Sequence, residues 1–272
     1  MRITVLVENS PGKWGCVSEH GLSLYVETKK HKLLVDTGAS DSFLWNAQIL
    51  GIDITEVDTV ILSHGHYDHG GGIPEFMKHN QKAVLYMQRS ADGEFYHVEN
   101  DEIRYIGIDH SITGLSRTVL LDGDYRIDPE LFLFSNIPGR KLWPEGNKIL
   151  KRKTGNEFVQ DRFEHEQCLV IEQNGKYYLL SGCAHNGILN ILDRYGELFH
   201  CMPDVVISGF HMRKVSGYTK KDIEDIEKTA QALKKTPTLY YTGHCTGDEP
   251  YRIMKRIMGE QIQALHSGDN LL

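Results

Sequence analysis

Ser63-His64-Gly65-His66-Tyr67-Asp68-His69-Gly70-Gly71-Gly72 places three imidazoles and a carboxylate within six positions. The stretch directly follows residues 58–63 (DTVILS), a short apolar run of the kind buried on both faces of a sheet. A glycine-bounded loop leaving such a strand is where a site belongs. Neutral imidazole and carboxylate suit divalent metals such as Zn²⁺, Fe²⁺ or Mn²⁺, and the glycines let the backbone turn tightly enough for neighbouring side chains to converge. One loop cannot complete two metal shells, so later strand ends must contribute. Residues 181–187 (SGCAHNG) and 241–247 (YTGHCTG) each place a histidine just after an apolar run and beside glycine, which makes His185 and His244 candidates. Residues 208–211 (SGFH) have the same form, so His211 is either a ligand or a substrate contact. Asp36 closes the run KLLVDTG. Its carboxylate either fixes the tautomer of a ligand imidazole or simply forms a turn.

Working outward, residues 2–7, 22–27, 32–37 and 83–87 read as strands, being rich in β-branched and large apolar residues between Gly, Asn and Ser. Residues 41–50 read as a helix capped by Ser40 or Asp41 and ended by Gly51. Residues 65–72 read as irregular, and 74–79 as a short helix with Pro74 in its first turn. From about 88 to 165 the pattern weakens, with VLLDG and LFLFS the only strand-like runs, and this stretch reads as an elaboration on one domain spanning 1–272. Asn174-Gly175 between two apolar runs predicts a type I′ hairpin over 168–182. Helices follow at 188–195, 220–233 and 249–258, with strands at 204–209 and 238–243. Ile223, Ile226, Ala230 and Leu233 share one helical face. Strands with interspersed helices and hairpins in both halves predict an α/β (α+β) fold of sheets covered by helices.

The 272 residues carry a formal charge of −7, which excludes a general nucleic-acid binder with its basic face. No apolar run is long enough for a membrane helix, and the start lacks the layout of a secretory signal. Five scattered cysteines, Cys16, Cys168, Cys183, Cys201 and Cys245, fit a reducing cytoplasm better than a disulfide framework. No nucleic-acid partner and no membrane is expected, which leaves a small molecule. The oligomeric state is left open.

The set Val35-Asp36-Thr37-Gly38, His64-Gly65-His66-Tyr67-Asp68-His69 and Thr242-Gly243-His244 resembles the metallo-β-lactamase superfamily. EHGLSLYVE (19–27), LLSGCAHNGI (179–188), VISGFHM (206–212) and YTGHCTG (241–247) are similar to a prokaryotic branch of it. That branch is named for a 7,8-dihydropterin-6-methyl-4-(β-D-ribofuranosyl)-aminobenzene-5′-phosphate synthase. The resemblance implies a four-layer αβ/βα sandwich with two divalent metal ions at one edge, zinc first, with iron or manganese as alternatives. It implies His64, His66 and His185 on one metal, and Asp68, His69 and His244 on the other. Typical hydrolases of the superfamily have a bridging Asp where Gly182-Cys183 stands here, so Cys183 is expected to lie against the metals. The activity implied is hydrolysis of a phosphoester or related compound by a dinuclear-metal hydroxide, with Asp68 orienting it and His211 contacting substrate. A synthase (transferase) activity on a pterin and a ribosylaminobenzene phosphate is the first alternative, and a non-catalytic metal-binding module the second. Lys148, Lys151, Arg152 and Lys153, with Trp143 and Phe158, are expected to form either a solvated surface or an anion clamp. The helix after Gly247 is expected to offer its amides to a phosphate.

Overall fold

The computed structural model describes residues 1–12 and 15–271. The first half runs β1 (Arg2–Val7), β2 (Ser23–Glu27), β3 (Lys32–Val35), α1 (Ser42–Ile49), β4 (Thr59–Ile61), α2 (Tyr67–Gly70), α3 (Ile73–His79) and β5 (Val84–Gln88). The middle adds β6 (Phe95–Glu99), β7 (Glu102–Tyr105), β8 (Thr118–Leu121), β9 (Tyr125–Arg126), β10 (Leu131–Phe134), β11 (Leu150–Thr154) and β12 (Glu157–Gln160). The last part holds β13 (Cys168–Gln173), β14 (Lys176–Leu180), α4 (Ile188–Phe199), β15 (Val205–Ile207), α5 (Lys220–Lys234), β16 (Leu239–Thr242), α6 (Asp248–Met258) and β17 (Ile262–Ala264).

Among the described residues, six strands form one sheet in the order β1-β2-β3-β4-β5-β8, and seven form the other, β17-β16-β15-β14-β13-β10-β9. Val5, Leu24, Val35 and Ile61 of the first sheet meet Leu133, Leu169, Leu180 and Ile207 of the second in a dry interior. The opposite faces are covered by helices. Phe43 and Phe76, from α1 and α3, pack on the first sheet, and Ile191, Ile226 and Met254, from α4, α5 and α6, pack on the second. Each sheet therefore buries both faces, which is why β4 and β15 are short unbroken apolar runs. The expected αβ/βα sandwich is present.

Several elements differ from expectation. Residues 65–72, read as irregular, contain the single helical turn α2, whose first amide, Tyr67 N–H, bonds to Ile106 O at 2.9 Å. A side chain at Gly71 would meet Ala39 O at 2.2 Å, so close packing fixes that glycine. The 88–165 stretch is less of an appendage than its sequence suggests, because β8, β9 and β10 belong to the main sheets. Only β12-β11-β6-β7 form a separate, third sheet. At α1 it is Ser40 that meets the first free amide, accepting from Ser42 N–H at 3.1 Å, while Asp41 makes no side-chain cap bond. The hairpin turn is as read: Asn174 and Gly175 have φ of 57° and 72°, as a type I′ turn requires. Among the described residues no helix is long and apolar enough to cross a membrane.

β3, β4, β5 and β8 run parallel, as do β14, β15, β16 and β17. Ligand sites in such sheets form beyond the carboxyl ends of the strands. The loops after β3, β4, β14, β15 and β16 carry Asp36, His64 to His69, His185, His211 and His244.

Candidate metal centre

His64, His66 and His185 form a triangle, with ring centroids 4.6 to 4.8 Å apart. Ser63 donates both its N–H and its hydroxyl to the Asp36 carboxylate, at 2.7 Å each. With that proton committed, Ser63 Oγ accepts from His64 Nδ1–H at 2.8 Å. Asn147 donates its amide to His185 O and accepts from His185 Nδ1–H at 2.9 Å. Both rings are thereby fixed with Nε2 as a lone pair. Among the described residues the Nε2 atoms of His64, His66 and His185 are buried and have no partner. Burial, then neighbouring imidazoles, drives His64 and His185 well below the ordinary imidazole range. Burial, with His165 adding to it, takes His66 down to about 3. Three neutral imidazoles with free Nε2 atoms are what a divalent cation takes as ligands.

The second set is Asp68, His69 and His244. His69 Nδ1–H donates to Asp36 Oδ2 at 2.6 Å, and His244 Nδ1–H to Asn9 Oδ1 at 2.8 Å. The two Nε2 atoms then face each other at 3.2 Å, with Asp68 Oδ2 3.3 Å from His244 Nε2 and 3.9 Å from His69 Nε2. Two ring nitrogens at that distance are satisfied by a proton on one of them or by a metal ion held by both. Burial presses His69 towards neutrality, but Asp36 and Asp68 outweigh it and raise the ring to about 9. Burial pushes the Asp68 carboxyl up, yet His69, His244 and His66 together hold it far below the usual carboxylate range. A ligand imidazole must be neutral, so a metal ion bound here displaces that proton.

Cys183 lies between the two sets. Its sulfur is within 4.8 Å of donor atoms of His64 and His185 on one side, and of His69 and His244 on the other. It is 3.2 Å from His69 Nε2, and burial pushes its thiol well up. His211 stands beside the first set, its ring 4.2 Å from that of His185, and its backbone N–H donates to Cys245 Sγ at 3.3 Å. Asp36, Ala184, His211 and His244 all hold positive φ, between 49° and 59°. Four non-glycine residues in the left-handed region at strand ends around one site is the clustering of strain expected where side chains must be aimed.

The metal-site candidates read from the sequence therefore converge. Of the residues that orient them, Asp36 was read from the sequence and the others were missed. Asn147, Asn9 and Asp161 sit in turns whose polarity looks ordinary, and His165, which accepts from Gly65 N–H at 3.0 Å and lies 3.1 Å from Asp161, has no metal-like spacing. His20, 3.3 Å from Asp68 Oδ2, lies within EHGLSLYVE yet carried no signal of its own. Three of the four clamp candidates have carboxylate partners, Lys148 with Glu145, Arg152 with Glu164 and Lys153 with Glu94, while Lys151 donates to Gln160. The first turn of α6 carries Asp248 and Glu249, which disfavour a phosphate there. Arg213 Nη1 lies 3.4 Å from His20 Nδ1.

The metallo-β-lactamase superfamily model matches residues 19–243. The chain belongs to that superfamily, a group of metal-dependent enzymes that generally bind divalent metals such as zinc. It is 28% identical over 268 residues to the 7,8-dihydropterin-6-methyl-4-(β-D-ribofuranosyl)-aminobenzene-5′-phosphate synthase of Methanocaldococcus jannaschii, covering 92% of this chain and 89% of the relative. Among solved structures it is similar to Tm1679, described as a metal-dependent hydrolase of the β-lactamase superfamily. That match has a TM-score of 0.82 and 32% identity, and covers 100% of this chain and 98% of the other. Zn²⁺-bound PqqB from Methylobacterium extorquens shares the fold at a TM-score of 0.57 and 12% identity, over the whole of both chains.

Proposed function

We propose that the chain is a dinuclear metal-dependent hydrolase of a small phosphoester. The observation that carries this is the pair of facing donor sets: His64, His66 and His185 with free Nε2 atoms, and Asp68, His69 and His244 converging beside them. Held by these two sets, two divalent ions, zinc first, would supply Lewis acidity and make hydroxide available near neutral pH. The protein's own part is positional. Asp68 Oδ2 is held ionised, so it orients the attacking water and takes a proton from it. His20 Nε2 and Arg213 stand on the open side of Asp68 and meet the anionic substrate. His211, beside His185, donates to the oxygen that gains charge. Cys183 fills the place of a bridging carboxylate with a smaller and softer group. The net charge of −7 supports a small-molecule substrate over a nucleic acid.

A second reading, transfer to an organic acceptor, is favoured by the near full-length similarity to the archaeal synthase. Elemental analysis after reconstitution should give about two transition-metal ions per chain, and no bound metal would sink both readings. Turnover of aryl phosphates in ¹⁸O-water should place one ¹⁸O in each phosphate released. Product formation without label would instead establish transfer.

A further inference from the structure

Cys245 belongs to neither donor set, yet its sulfur, the Cys183 sulfur and a ring nitrogen of His211 all lie within 4.8 Å of one another. Both cysteines are free and buried. Three strand-end loops bring them together. Gly209 N–H donates to Gly182 O at 2.8 Å, which lays the chain after β15 along the chain after β14. A side chain at Gly209 would meet Cys245 Sγ at 2.4 Å and Gly182 O at 3.2 Å, so the space that this glycine leaves is the one the Cys245 sulfur fills. Cys245 Sγ also donates to Cys183 O at 3.5 Å and accepts from the backbone N–H of His211 at 3.3 Å. Cys183 therefore has two neighbourhoods. Its sulfur lies 3.2 Å from His69 Nε2, among the donor atoms of the metal centre, and within reach of a second thiol.

The geometry points to Cys183 and Cys245 as a peroxide-oxidised pair, whose disulfide draws the Cys183 sulfur off the metal centre and stops the protein reversibly. The pairing rests on the packing of the loops, and only its consequence rests on the proposed metal centre. Hydrogen peroxide is the oxidant. The Cys183 sulfur attacks one peroxide oxygen, the O–O bond breaks, and a sulfenic acid and one water result. The Cys245 sulfur then attacks the Cys183 sulfur, the S–O bond breaks, and the departing hydroxyl leaves as a second water with the Cys245 proton. Two electrons have passed from the thiols to one peroxide. Bonding needs the sulfurs about 2.0 Å apart, so the Cys183 side chain turns from His69 towards Cys245. A disulfide sulfur is no longer a thiolate and cannot serve as a metal ligand.

The test treats the whole, metal-loaded chain with hydrogen peroxide, blocks the remaining thiols and cuts with trypsin. Cys183 lies in fragment 177–194 and Cys245 in fragment 236–252, and neither holds a second cysteine. The two should be recovered joined, two hydrogens lighter than their sum, and should separate on reduction with a phosphine. Metal affinity, read by competition with a chelator, should fall at least about tenfold on oxidation and return on reduction. Cys245→Ser keeps an acceptor for His211 N–H but leaves oxidised Cys183 without a thiol to meet it. Its Cys183 should pass on to the sulfinic acid, and the phosphine should restore nothing. The inference is overturned if the wild-type fragments are recovered unlinked, if either is joined to Cys16, Cys168 or Cys201 instead, if linkage leaves metal affinity unchanged, or if Cys245→Ser recovers as fully as the wild type. Linkage in a protein that takes up no metal would sink the hydrolase reading and leave the pair standing. Two bound ions without linkage would do the reverse.

Discussion

Asp36 serves both donor sets at once, through Ser63 and His64 on one side and directly through His69 on the other. Its carboxylate is fully buried and its backbone is left-handed, so nothing but its partners holds it there. Asp36→Asn keeps the shape and loses the charge. It should weaken metal binding by about 10–100-fold without removing a ligand, which competition with a chelator would measure. Cys183→Asp introduces an ionised oxygen donor where a buried thiol now faces His69. It should retain or strengthen binding at the second site, and loss of that ion would show that the thiol is required. His211→Ala should slow turnover by about 10²–10³ with metal content unchanged. Loss of one ion per chain would make His211 a ligand. The nine side chains Asp36, His64, His66, Asp68, His69, Cys183, His185, His211 and His244 were legible because they cluster beside glycine at strand ends. Their orienting partners were not, because Asn9 and Asn147 become special only when the fold delivers them 235 and 38 positions away along the chain.

Helix α5 shows what local sequence controls. Thr219 accepts from Asp222 N–H, and Asp222 accepts in return from Thr219 N–H at 2.8 Å, closing a reciprocal cap, while Lys214 pairs with Asp222 as well. Thr219→Ala should cost about 1 kcal/mol, read as a lower denaturation midpoint at unchanged slope. The amphipathic face of Ile226, Ala230 and Leu233 and the Asn174-Gly175 turn were equally readable, since period and turn chemistry are local properties. The third sheet was not. The strands β7 and β12 are only four residues long and exposed along their whole length, so no buried apolar face marks them, and they pair with β6 and β11. The short strand β17 escaped for a related reason: it has one fully buried apolar residue, Ile262, and is held in place by parallel pairing with β16.

The two sheets are also joined at the end away from the metals. His31 lies before β3, and its two nitrogens face Asp58 Oδ1 and Asp128 Oδ2 at 3.0 Å each, one carboxylate leading into the first sheet and the other into the second. Burial lowers the ring's proton affinity, but Asp128 and Asp58 outweigh it, and the folded value lies above the ordinary 6.5. A raised folded value means that the protonated clamp contributes fully below about pH 6.5 and is lost as pH rises through the folded value. His31→Asn should therefore destabilise the protein most near pH 6, and the gap from wild type should narrow by pH 9 in paired denaturation curves. A gap that widens with pH would contradict the imidazolium assignment. At the opposite end the histidines themselves do the joining, since His69 and His244 meet across 175 positions of sequence. An ion between them is, in polymer terms, a cross-link. It closes a very long loop whose entropic cost rises only with the logarithm of its length. Once one ion has closed that loop the second finds its ligands already gathered, so the two should bind as a pair, and the chain should feel their departure as the opening of a ring.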